Sequence, residues 1–325
     1  MSPQLWAVTG VSGYIGAVLT RRLIDSGQTV RGLSRRDLIA GSVRRVTGDI
    51  SDIAAVRSLV EGADVVVHLA AYVHRSTQSA RERELCRITN VEGTRTVIDA
   101  CSSVPSRPFL VFVSTAAVYG DSGSDVDENA PTAPPTEYAK TKWEAELLIR
   151  EAIDKNRIRG VILRPAVVFG AGSKGNLALL TRCVRSGFFP SINGGKFKKA
   201  LVPVGMLVAA IEAVVRHSER TNGQVYNVGG EWMTIRSIAE LIAETAGVRL
   251  RVIPFPLAPV RFSAGIFDRT LALLHASAPS TSRLVKVYTS SLTLSDASLR
   301  ALATFRWPHS VEWALRQGLR GYDLF

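Results

Sequence analysis

The segment Thr9-Gly10-Val11-Ser12-Gly13-Tyr14-Ile15-Gly16 constrains this chain most, because it joins an apolar β-type run, Leu5 to Thr9, to a stretch of helical periodicity, Tyr14 to Ser26. In a strand-turn-helix context Gly10 allows the tight turn, Gly13 lets backbone approach a diphosphate, and Gly16 lets the helix lie close on the strand. The first N–H groups of the helix then face the anion. A dinucleotide site is therefore expected here, with Gly10, Gly13, Tyr14, Ile15 and Gly16 as its contacts.

The same alternation continues. Thr29 to Leu33, Val43 to Thr47 and Val65 to Leu69 read as strands, with a helix over Asp52 to Gly62. Beyond them come a long helix over Arg81 to Cys101, a buried strand over Phe109 to Ser114, a helix over Thr136 to Asn156 and a strand over Val161 to Leu163. Repeated βα units predict an α/β fold with a doubly wound parallel sheet of Rossmann type. After about residue 170 the texture changes to glycine-rich turns and shorter strands, so residues 1–170 are expected to form the dinucleotide-binding domain and 171–325 a smaller α/β substrate-binding domain, with part of 200–230 returning to the first sheet. The loop Gly120 to Pro135, with three prolines and four acidic residues, reads as a surface connection. Pro254, Pro256 and Pro259 favour packing of 252–275 inside the second domain over a membrane-surface or dimer contact.

Composition narrows the partners. A net charge of +12 comes from scattered pairs such as Arg21-Arg22 and Arg44-Arg45, with no run of five, so small anionic ligands fit better than nucleic acid. The longest uncharged, mostly apolar stretch, Ala200 to Ile211, is too short for a bilayer span. No basic segment precedes an apolar run near Met1, so no signal peptide is expected. Cys86, Cys101 and Cys183 lack CxxC spacing, which speaks for reduced thiols, no metal site and a cytoplasmic protein.

At the end of the second strand the chain reads Gly32-Leu33-Ser34-Arg35-Arg36, where an NAD site usually offers a carboxylate to the ribose. Ser34 and Arg35 suit a 2′-phosphate instead, which favours NADP over NAD. Asp49 and Ile50 follow the third strand in position to receive the adenine, and Leu69, Ala70 and Ala71 end the fourth beside the cofactor. Tyr138 and Lys142 share one face at the start of a helix, where an ammonium can help a phenol exchange its proton. Thr115, at the end of the fifth strand, is placed to hydrogen-bond a reacting oxygen.

With these residues in view the chain resembles the extended short-chain dehydrogenase/reductase superfamily, in its nucleotide-sugar 4-epimerase and 4-keto reductase branch. The matching pieces are TGVSGYIG at Thr9 to Gly16, GDI at Gly48, HLAA at His68, NVEGT at Asn90, STAAVYG at Ser114, YAKTK at Tyr138, RPAVVFG at Arg164 and NVGG at Asn227. The resemblance implies that Thr115, Tyr138 and Lys142 are the catalytic triad, that Lys142 also holds the nicotinamide ribose, and that Pro165 and Val168 border the cofactor. It implies substrate contacts at Asn176, Leu177 and Lys199, from Lys174-Gly175-Asn176-Leu177 and Lys198-Lys199, with the diphosphate and uracil of a nucleotide sugar. A homodimer through Arg81 to Cys101 and Thr136 to Asn156 follows from the same likeness. The chain departs from it at Gly205-Met206, where Asp or Asn is common, and at Lys199, where Arg is common.

Ala116 and Ala117 stand where 4,6-dehydratases of the family carry an acid pair, so dehydration is disfavoured. The expectation is reduction of a UDP-4-keto sugar with NADPH. Alternatives are a UDP-hexose or N-acetylhexosamine 4-epimerase, a hydroxysteroid or aldehyde reductase, and, from another class, a non-catalytic regulator that senses the cofactor.

Overall fold

The computed structural model describes residues 3–35, 43–73, 79–173, 176–260, 262–265, 285, 288–302, 305, 307 and 309–321. The first strands are β1 (Leu5–Thr9), β2 (Thr29–Ser34), β3 (Arg44–Thr47), β4 (Val65–His68) and β5 (Phe109–Val113), of which β1, β4 and β5 are mainly apolar and β3 is a polar edge. After β6 (Gly123–Val126), which leaves for another sheet, come β7 (Arg159–Pro165), β8 (Val167–Phe169), β9 (Phe188–Ile192), β10 (Lys198–Pro203) and β11 (Val225–Val228). One seven-stranded sheet runs β11-β7-β5-β4-β1-β2-β3 with every neighbouring pair parallel. Every residue of β4 and β5 is buried, as strands covered on both faces require.

Helices supply the two covers. On one face α1 (Tyr14–Asp25) sets Leu19 and Leu23 into a core with Val8, Val111, Leu163, Leu207 and Ile211. On the other α2 (Ile53–Val60) sets Val56 and Leu59 against Ala7, Leu110 and Phe112, together with Val97 and Ile149. This is the doubly wound Rossmann arrangement. Its strand order reverses at β1 and β4, so a crevice opens beyond their carboxyl ends, where such sheets bind ligands.

The expected helix Arg81 to Cys101 is three pieces: α3 (Ala80–Arg87), a π turn Ile88–Glu92, and α4 (Gly93–Ser103). The wide turn coincides with tertiary bonds that an uninterrupted helix would have to accommodate. The Asn90 side chain accepts from the Tyr72 N–H at 2.7 Å and donates to Thr141 Oγ1 at 2.9 Å, while Thr94 donates back to the Asn90 carbonyl at 2.6 Å. Helix α5 (Glu137–Asp154) starts where expected, with Thr136 accepting from the Ala139 N–H as its N-cap.

The second half holds α6 (Asn176–Arg185), α7 (Val204–Arg216), α8 (Ser218–Thr221), α9 (Ile235–Ala246), β12 (Trp232–Thr234), β13 (Arg251–Phe255), β14 (Leu292–Leu294), α10 (Ala297–Arg300) and α11 (Val311–Leu319). A second sheet runs β12-β10-β14-β6, with β8 pairing β10. The segment Gly120 to Pro135 is thus more than a surface connection: it contributes β6 to this sheet and buries Val126. Of 252–275, residues 252–255 belong to β13, which pairs with β9 and is exposed at all five of its positions, while Ala264 further on is buried. Residues 261 and 266–275 lie outside the description. Among the described residues no helix is long and apolar enough to cross a membrane.

Candidate active site

The glycine turn after β1 has the shape its sequence requires. Gly10 has φ +70°, and a Cβ there would meet Ala70 N at 2.8 Å; a Cβ at Gly16 would meet the Gly10 carbonyl at 2.3 Å. The Gly13 N–H closes the turn on the Gly10 carbonyl at 2.9 Å. As N-cap of α1, Gly13 offers no side-chain acceptor, and the first turn carries no acidic residue, so its N–H groups suit an anion. The Tyr14 hydroxyl is buried with no hydrogen-bond partner among the described residues. These features fit a dinucleotide diphosphate.

Loops on either side of this turn are tied to it. Thr9 Oγ1 accepts from the Leu69 and Ala70 N–H groups at 3.2 and 3.1 Å and lies 2.7 Å from His68 Nδ1. Burial, then the charge of Lys142, pushes His68 down to about 3, so the imidazole is neutral and structural. Ile50 is buried against Gly93, where a Cβ would meet it at 2.8 Å. Asp49 accepts from Ser51 and lies 3.7 Å from Arg35, both exposed, while Ser34 is buried. Arg36 lies outside the described residues.

Across the crevice, the carboxyl ends of β5 and β7 open on a cavity of about 460 Å³. Thr115, Tyr138, Pro165, Leu177 and Lys199 all line it, whereas Val168 packs into the neighbouring core. Thr115 Oγ1 accepts from the Ala117 N–H at 3.2 Å, which leaves its O–H to donate elsewhere. Burial, with the nearby Cys86 adding to it, pushes the Tyr138 phenol up to about 12. Burial lowers Lys142 to about 7, although Glu146 and Cys86 pull the other way, and its ammonium lies 3.9 Å from the centre of the Phe112 ring.

Lys198 and Lys199 part company, because successive strand residues face opposite ways. Lys198 lies over the Trp232 ring at 3.8 Å, outside the cavity lining. Lys199 lines the cavity, donates to the carbonyl and hydroxyl of Ser290 at 2.6 and 3.0 Å, and is lowered to about 8 by burial. Asn176 begins α6, one residue before Leu177, and Lys174 and Gly175 lie outside the description. Most other lining residues are apolar, among them Ala116, Ala117, Val167, Leu201, Ile235 and Leu292.

Residues 6–229 match the model of the NAD dependent epimerase/dehydratase family. This chain belongs to that family. Among relatives of this epimerase/dehydratase member is the N-acetyl-alpha-D-glucosaminyl-diphospho-ditrans,octacis-undecaprenol 4-epimerase of Escherichia coli O157:H7, 31% identical over 220 residues, which are 67% of this chain. The chain spans 65% of that relative's length. A second is the 4-hydroxy-2-methyl-3-oxo-4-farnesyl-3,4-dihydroquinoline-1-oxide ketoreductase of Stigmatella aurantiaca, 30% identical over 310 residues, 90% of this chain and 89% of its own. The UDP-glucose 4-epimerase of Thermus thermophilus, solved with NAD, superposes with a TM-score of 0.76 at 22% identity over 98% of each chain, a likeness of fold.

One part of this epimerase/dehydratase site was not read from the sequence. Glu146, one turn after Lys142, receives the Arg164 guanidinium at 3.1, 3.1 and 2.7 Å and the Ser114 hydroxyl at 2.5 Å, all buried. Arg164 also donates to Tyr119, whose hydroxyl lies 2.8 Å from Asn227 Oδ1. Extending the i, i+4 series from Tyr138 and Lys142 would have found Glu146. Tyr288 and Ser290 in the cavity carried no such signal.

Proposed function

We propose that this protein reduces the keto group of a UDP-4-keto sugar with NADPH. The observation that carries the reading is the joint presence of Thr115 and Tyr138 in one cavity at the ends of the central strands, with Lys142 one turn behind. The glycine turn after β1 would hold the nicotinamide cofactor, which when bound would supply the hydride for the carbonyl carbon. Tyr138, whose phenol holds its proton at neutral pH, gives that proton to the carbonyl oxygen as its π bond breaks, leaving an alcohol. Thr115 donates a hydrogen bond to the same oxygen, and Lys142 in its charged form favours the phenolate left on Tyr138. Ala116 and Ala117 cannot move protons, which speaks against dehydration.

NADP(H) is preferred because Ser34 and Arg35 end β2 without a carboxylate, and Arg35 meets Asp49 only in an exposed pair worth little. Asn176, Leu177 and Lys199 contact the diphosphate and uracil of the substrate. A homodimer forms through Arg81 to Cys101 and Thr136 to Asn156, where Leu85, Ile88 and Leu147 are exposed.

The test is consumption of NADPH by the purified protein with a UDP-4-keto hexose, set beside interconversion of UDP-sugar epimers with no added reductant. NADPH consumption supports reduction; epimer interconversion with tightly held NAD replaces it with 4-epimerisation. A second reading, reduction of a ketone on an apolar ring system, is favoured by the apolar lining and by the ketoreductase relative. Turnover of such a ketone with no binding of UDP would select it.

A further inference from the structure

We infer that the exposed face of β9 and β13 docks on an anionic lipid surface. β13 pairs with β9 alone among the described strands and is exposed throughout; in register, Arg251, Ile253 and Phe255 lie opposite Phe188, Pro190 and Ile192, so Ile253 and Phe255 share the face on which Phe188 and Pro190 are exposed. Phe188 of β9 is exposed beside them, and Phe262, a few residues on, is 73% exposed. Contiguous exposed apolar surface of this kind marks a binding face.

Charge selects the occupant. From Thr245 to Phe267 the sequence carries three arginines, Arg249, Arg251 and Arg261, and no acidic residue. The Arg251 guanidinium lies 6.0 Å from the centre of the exposed Phe188 ring, so cation and aromatic group share one place. A second copy meeting this face across a two-fold axis would bring arginines against arginines near the axis. An anionic bilayer offers phosphates to the arginines and an apolar boundary to the phenylalanines, and the net charge of +12 adds long-range attraction. With no helix among the described residues able to cross a membrane, the contact is interfacial.

The face adjoins the interior of the substrate side. Phe189, Pro190 and Ile192 of β9 line an apolar cavity of about 150 Å³ whose Leu180, Ile235 and Tyr288 also line the larger cavity. Docking would therefore bring lipid within one strand of the substrate pocket. The inference holds whichever substrate the pocket takes.

Flotation of the full chain with vesicles of phosphatidylcholine alone, and of phosphatidylcholine with phosphatidylglycerol, tests it. Binding to the anionic vesicles, weakening with added salt, is expected. A double variant Phe255→Ser, Phe262→Ser and a second, Arg249→Glu, Arg251→Glu, should each lose at least ~10-fold in partitioning while keeping the wild-type melting temperature and NADP(H) affinity. Equal or absent binding to both vesicles would overturn the inference, as would variants that float like the wild type. So would a concentration-dependent dimer that the variants dissociate.

Discussion

Two buried cations border the same stretch of α5, and the fold treats them in opposite ways. Arg164, 1% exposed, is gripped by Glu146, bonded to Tyr119 and directed at the Glu128 carbonyl. Burial alone would weaken its hold on its proton, but the hydrogen bonds and charge of Glu146 outweigh that and strengthen it. Lys142, 2% exposed, has no hydrogen bond or ion pair among the described residues and is lowered to about 7. A buried pair with every lone pair engaged ties β5, β7 and α5 together; a desolvated ammonium destabilises the fold and is kept where chemistry needs it.

Breaking the paired cation should have the largest effect. Arg164→Met leaves Glu146 buried without its partner and is expected to cost about 3 to 5 kcal/mol in chemical denaturation. Lys199→Glu, on the cavity wall, should abolish UDP binding in calorimetry while leaving NADP(H) affinity within two-fold, roughly 0.4 kcal/mol or less. Arg35→Ala is expected to weaken NADP(H) by about 1 to 3 kcal/mol and NAD(H) hardly at all.

The unpaired cation sharpens the contrast through the sign of its effect. Because Lys142 titrates near 7 when folded and 10.5 when unfolded, the unfolded chain binds more protons between those values. Its contribution to stability therefore rises with pH across that window and is least favourable below about pH 7. Lys142→Met should raise the melting temperature most at neutral pH and below, by roughly 2 to 4 °C for each kcal/mol recovered, with the gain shrinking as pH climbs. Reductive turnover of the wild type should fall as pH rises through about 7, when the ammonium is lost.

The middle of the first sheet was legible because β1, β4, β5 and β7 carry short apolar runs and the glycine turn allows few alternatives. Tyr138 and Lys142 were legible because a helix puts i and i+4 on one face. Glu146 and Arg164 were hidden by their separation of 18 residues: a buried ion pair spanning a helix and a strand leaves no local pattern. The π turn at Ile88 coincides with the bonds of Asn90 to Tyr72 and Thr141, which no helical periodicity encodes. β6 was hidden in a polar segment because only Val126 of its four residues is buried, and its partner β14 lies far later in the chain, Leu294 pairing with Val126.

Hydride transfer by Tyr138→Phe measures the central claim, that α5 supplies the proton for reduction at the cavity. The variant keeps the ring and loses only the hydroxyl, so single-turnover oxidation of bound NADPH with a UDP-4-keto sugar should slow at least ~100-fold while NADPH affinity stays near wild type. A variant that oxidised NADPH at close to the wild-type rate on the same substrate would contradict it.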